Sequence, residues 1–157
     1  MQKKMIYIIW FFTYFVACSP TEVKDSFNSN VLISSKGEKI FVNSINWGVT
    51  DDYQLSVISK DSLRLKDRND TIGTVQGLNP FIYEFNNDTL TLYFYNRISY
   101  KLNDKLNTIT VLYKVVNDTE YLILTEKSYE SDEYISVPIS EKQTYPSDMP
   151  KAPEIVK

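Results

Sequence analysis

Residues 89–95 read TLTLYFY, an unbroken alternation. Leu90, Leu92 and Phe94 share one face of an extended chain, and Thr89, Thr91, Tyr93 and Tyr95 share the other. A period of two suits a strand and no helix. Residues 108–115, TITVLYKV, follow suit: Ile109, Val111, Tyr113 and Val115 face one way, Thr108, Thr110, Leu112 and Lys114 the other. One apolar and one mixed face per strand is the pattern of antiparallel sheets. Further strand-like runs cover 31–35, 39–46, 53–59, 62–66, 71–75, 81–85, 98–102 and 120–126. Residues 133–139 supply a last edge strand, because Pro138 cannot donate to a ladder. No amphipathic helix longer than two turns is visible. The expectation is an all-β fold, an antiparallel β-sandwich or an up-and-down barrel or meander of about 8–10 short strands.

Turn chemistry punctuates these runs. Lys36-Gly37-Glu38 predicts a hairpin turn in which Gly37 takes a positive φ. Asn-Asp-Thr occurs at 69–71, 87–89 and 117–119, each time before a strand-like run. Asn and Asp favour turns and Thr favours strands, so each copy predicts a turn followed by the start of a strand. The unequal spacing of the copies argues against a repeat architecture.

The N-terminus carries a different signal. Lys3 and Lys4 precede an uncharged run, 5–17, in which only Thr13 is clearly polar. As a helix those residues span about 20 Å, short of the roughly 30 Å of a bilayer core. A basic start, a short apolar run and small residues before a cut are the parts of a secretory signal. Val16-Ala17-Cys18 resembles the end of a bacterial lipoprotein lipobox, with Phe15 where leucine is usual. The resemblance implies cleavage between Ala17 and Cys18 and a diacylglyceryl group, hence palmitate-type acyl chains, on the Cys18 sulfur. Two acyl chains anchor a protein stably where one does not. An uncleaved short anchor and an ordinary signal with a free thiol are the alternatives. Cys18 is the only cysteine, so no internal disulfide forms. The expected layout is a signal peptide over 1–17, a lipidated cysteine and flexible tether over 18–30, one β domain over 31–140 and a disordered, proline-bearing tail over 141–157.

Loss of 1–17 removes Lys3 and Lys4, leaving 15 basic and 20 acidic side chains, net −5. The densest basic stretch, 60–70, holds Asp61, Asp67 and Asp70 as well. Nucleic-acid binding needs a basic footprint, and none is present. The expected location is the cell envelope, at the inner or outer membrane, facing the periplasm or the surface, with the membrane as partner through the lipid.

The chain contains no histidine. That removes Ser-His-Asp and Cys-His catalysis and most zinc sites. Gly37, Gly48, Gly73 and Gly77 are too scattered to cradle a phosphate. Asp51-Asp52 and Glu130-x-Asp132-Glu133 read as solvated turn charges, and 67–70 lacks the spacing of a calcium loop. No metal, cofactor or catalytic residue is expected.

The aromatics are the better lead. Trp47 and Tyr53 flank Gly48 and two aspartates, and Tyr93 and Tyr95 share the more polar face of their strand. Rings beside carboxylates suit sugar or peptide binding; packing in a second core layer is the structural alternative. Asp61-Ser62-Leu63, Asp70-Thr71-Ile72 and Asp88-Thr89-Leu90 resemble the O-glycosylation acceptor of exported proteins in the Bacteroidota, which implies Ser62, Thr71 and Thr89 as acceptors. Asp118-Thr119-Glu120 departs from that motif at its third position. The function expected is a non-catalytic, lipid-anchored envelope domain that binds glycan or peptide through Trp47, Tyr53, Tyr93 and Tyr95. An immunity or inhibitor protein that blocks a toxin or enzyme is the second class, and a carboxylate hydrolase the third.

Overall fold

The computed structural model describes residues 25–48, 53–68 and 70–139. Residues 1–17, expected to be a signal peptide, Cys18, the Asp51-Asp52 pair and the expected tail over 141–157 lie outside the described residues. Among those described, the order is β1 (Ser26–Ile33), β2 (Lys39–Trp47), β3 (Tyr53–Ser59), β4 (Val75–Gln76), β5 (Ile82–Asn86), β6 (Thr89–Tyr95), β7 (Thr110–Val116), α1 (Asp118–Glu130) and β8 (Tyr134–Ser136). The strands form two four-stranded sheets, ordered β1-β2-β3-β4 and β7-β6-β5-β8. They pack face to face as a β-sandwich, and neither sheet closes into a barrel.

The alternation in the sequence builds the core between them. Ile40, Val42 and Ile58 of the first sheet meet Tyr83, Leu90, Leu92 and Phe94 of the second. The outer faces are covered too. Leu65 packs on Ile45 and Val57 outside the first sheet, and Leu124 of α1 packs with Ile82 and Tyr93 outside the second. The layers therefore run loop, sheet, sheet, helix.

Several expectations change. The tether predicted to reach residue 30 ends sooner, because β1 starts at Ser26 and pairs along its length with β2. Residues 62–66 are turn rather than strand. Asp61 Oδ1 accepts from the Leu63 amide, and Asn43 Nδ2 donates to the carbonyls of Asp61 and Arg64. Leu65 then takes a φ of 77° and buries its side chain. Residues 71–75 contribute only the start of β4.

Residues 98–102 form no strand either. They belong to the crossover 96–109 that joins β6 to β7, which pair in parallel and not antiparallel. A parallel pair needs such a connection. Tyr100 on it is buried in the inter-sheet core.

The largest departure is 120–126, predicted as strand and found inside α1. Asn117 caps the helix: its side chain accepts from the Glu120 amide at 2.9 Å, and the Glu120 carboxylate accepts from the Asn117 amide at 3.2 Å. This reciprocal pair is a capping box. The other Asn-Asp-Thr copies are followed by Ile72 and Leu90 and have no acid at that position. Asn87 and Asp88 instead make a tight hairpin turn, with φ of 48° and 57°.

Candidate functional site

The four aromatics expected to form one surface occupy two. Trp47 and Tyr53 are register partners on the outer face of the first sheet, their rings stacked at 5.6 Å. Arg68 lies 5.2 Å from the Trp47 ring and holds Asp25 through its Nε at 2.7 Å and its Nη2. Trp47 is thus committed to neighbours, close to where β1 begins. Tyr93 and Tyr95 share the outer face of β6, as the alternation predicts. Tyr93 is only 8% exposed, buried with Leu124 of α1. Its hydroxyl donates to Glu84 at 2.9 Å. Burial and the Glu84 charge both raise the Tyr93 pKa. Tyr95, two residues on, is 48% exposed.

Tyr95 belongs to a broad, open cleft of about 460 Å³ lined by Leu78, Asn79, Asp118, Tyr121 and Leu122. The wall is built by the start of α1 and the loop before β5. Tyr121 projects from the first turns of the helix, and its hydroxyl donates to the Asn79 carbonyl at 2.7 Å. Burial pushes the Tyr121 pKa up to about 12, so it stays a neutral donor. The Tyr95 and Tyr121 rings meet at 5.8 Å with a 53° tilt, close to an edge-to-face contact. Asn79 adopts a φ of 50°, and its Oδ1 is shielded with no hydrogen-bond partner. Asp118 brings a carboxylate to the same wall. Leu78 and Leu122 are 75% and 64% exposed.

Of these lining residues, sequence reasoning chose only Tyr95 as a binding residue. Tyr121 and Leu122 were hidden inside the strand predicted over 120–126, and Asp118 in the turn predicted before it. The Asn117-x-x-Glu120 spacing was the signal that would have placed them on a helix.

A second feature also escaped it. The inner face of the first sheet turns polar toward one end, where Asn28, Ser44 and Ser56 lie on adjacent strands across from one another, as do Asn46 and Gln54. Ser56 is fully buried, and neither its Oγ nor the Asn46 Oδ1 has a hydrogen-bond partner. A narrow crevice of about 10 Å³ adjoins this patch, lined by Asn28, Asn30, Ser44, Tyr83 and Ser136 among others. Asn30 Nδ2 donates to the Tyr83 hydroxyl at 2.6 Å. In the sequence, 44, 46, 54 and 56 are the inward positions at which both strands lose their apolar residues together.

The three acceptor candidates differ in surroundings. Thr71 is exposed, Ser62 half-buried in its turn, and Thr89 paired with Asn86 and Thr110 at the start of β6. Glu130, Asp132 and Glu133 are all exposed. Among the described residues no three acids gather as metal ligands, and no helix is long and apolar enough to cross a membrane. No family model matches the chain, and no curated protein or solved structure is significantly similar to it.

Proposed function

We propose that the chain is a non-catalytic, lipid-anchored domain of the bacterial cell envelope that binds a glycan or a peptide in the Tyr95–Tyr121 cleft. The lipobox-like Val16-Ala17-Cys18 supports the anchor. The domain behind it has no histidine, and its net charge is negative. The observation that carries the binding reading is Tyr95, a half-exposed ring propped on Tyr121 with the Asp118 carboxylate on the same wall. Rings exposed beside polar groups are the usual anchors of recognition surfaces.

The test is capture on glycan and peptide arrays by the full-length protein and by Tyr95→Ala. The expected result is a ligand held by the wild type and released by the variant. Capture that is equally strong in both would remove the cleft from consideration.

A further inference from the structure

We infer that the occupant of this cleft is a peptide segment bearing an apolar side chain next to a lysine or arginine. The inference rests on the reading of the cleft as a binding site and goes on to choose between its two ligand classes. Two observations make the choice. The first is the pair of leucines. Leu78 and Leu122 sit at opposite elements of the cleft, on the loop before β5 and on α1, and both are largely exposed. A sugar stacks on flat rings and needs polar groups at the rim. Branched aliphatic side chains offer its hydroxyls nothing. They do suit a leucine, isoleucine, methionine or phenylalanine from a partner, because burying an apolar patch of this kind is what drives protein recognition.

The second is the chemistry of the polar atoms. The Asp118 carboxylate, on an exposed residue of the cleft wall, only accepts hydrogen bonds. The occupant must therefore donate, and the one charge among the lining residues asks for a cation. Lysine and arginine side chains meet both demands. A second copy of the chain does not fit, since each mature copy is net −5 and would bring acid to acid. Addition of a strand is excluded at Tyr95, because β6 already has β5 and β7 on its two sides. Recognition falls to side chains rather than to a backbone ladder.

The experiment pans a random twelve-residue peptide phage library on full-length protein in detergent micelles. Recovered peptides are then titrated against wild type, Leu122→Ser and Asp118→Asn. Both substitutions are at exposed positions, and unchanged circular dichroism verifies the fold. Recovered sequences are expected to place Lys or Arg within one or two residues of an apolar side chain. Each substitution should weaken binding about tenfold, the size of effect that an anchor residue gives. Wild-type binding should also weaken with added salt. Recovered peptides without the basic–apolar pairing, or affinities indifferent to both substitutions, overturn the inference. No peptide, but an array glycan held by wild type and lost in Tyr95→Ala, overturns it while keeping the cleft as a binding site. Neither peptide nor glycan removes both.

Discussion

The carboxylate of Glu38 accepts the backbone amide of Thr108 at 2.6 Å and its hydroxyl at 2.8 Å, although the two residues lie 70 positions apart. The same carboxylate accepts from the Asn107 amide and pairs with Lys60 at 3.0 Å. Glu38 sits in the turn between β1 and β2, and Thr108 leads into β7. The contact therefore joins the two sheets at one end. Asp88, in the β5–β6 turn, grips the same hairpin through the amide and hydroxyl of Ser35.

This clamp predicts an acid-sensitive fold. Hydrogen bonds from Thr108, Lys60 and Asn107 hold the Glu38 pKa at about 2, below its ordinary 4.5. A carboxyl whose pKa falls on folding stabilises the folded state above its unfolded value and ceases to do so once it is protonated. The contribution of Glu38 should be complete above pH 4.5 and disappear as the pH falls toward 2. Glu38→Gln should lower the thermal midpoint at neutral pH and flatten its decline between pH 4.5 and 2. Some slope should survive in the variant, because Ser35 also lowers the pKa of Asp88. Equal slopes in the two proteins would remove Glu38 as the cause.

Tyr100 predicts a second stability effect. Its hydroxyl accepts from the Ile58 amide at 2.8 Å and donates to the Ile58 carbonyl at 3.2 Å. β4 pairs only with Leu55 and Ser56, so beyond it this hydroxyl stands in for the missing strand. Tyr100→Phe keeps the ring stacked on Phe81 but leaves both buried backbone groups unpaired. The cost should be about 1–3 kcal/mol, read as a lower urea midpoint at unchanged slope.

What the sequence disclosed depended on how local the cause was. The alternation at 89–95 was read correctly because burial on one face is written into every second residue. Tyr93 and Tyr95 were correctly placed on one face. Which of the two stays exposed is decided by α1, and α1 was misread. Its helix period is weak: Leu122 and Ile123 are exposed while Leu124 is buried, and Leu-Ile-Leu looks equally at home in a strand. The cap carried the stronger local information. Residues 62–66 failed for the opposite reason. SLRLK alternates well, but Asn43, some twenty residues earlier, holds that segment in a turn. No pattern within the segment records a hydrogen bond from outside it.

The cap itself is testable. Asn117→Ala removes the acceptor of the Glu120 amide and should cost about 1 kcal/mol, while Asn117→Asp or Asn117→Ser should restore most of it. The loss should concentrate in α1 and appear as faster amide hydrogen exchange over Thr119–Leu122 than in the strands. Asp118, Tyr121 and Leu122 all lie in the first turns, so the same variant should weaken ligand capture. Uniform exchange changes across both sheets would mean that the helix is held by its packing on Ile82 and Tyr93 and not by its cap.

The anchor predicts where the protein is found. If the Cys18 sulfur carries the lipid, the wild type should incorporate labelled palmitate and fractionate with membranes. Cys18→Ala should do neither, and should retain its signal peptide or appear in the soluble fraction. Acyl chains contribute about 0.8 kcal/mol per buried methylene, so losing them leaves a net-acidic domain with little else to hold it to a membrane. The fold should be untouched, because Cys18 lies ahead of the described sandwich, which begins at Asp25 and Ser26, where Arg68 grips Asp25. A soluble Cys18→Ala protein with an unchanged urea midpoint would therefore separate address from architecture. A wild type that takes up no labelled palmitate yet fractionates with membranes would show the apolar run 5–17 to be an uncleaved anchor, with the cysteine incidental to attachment.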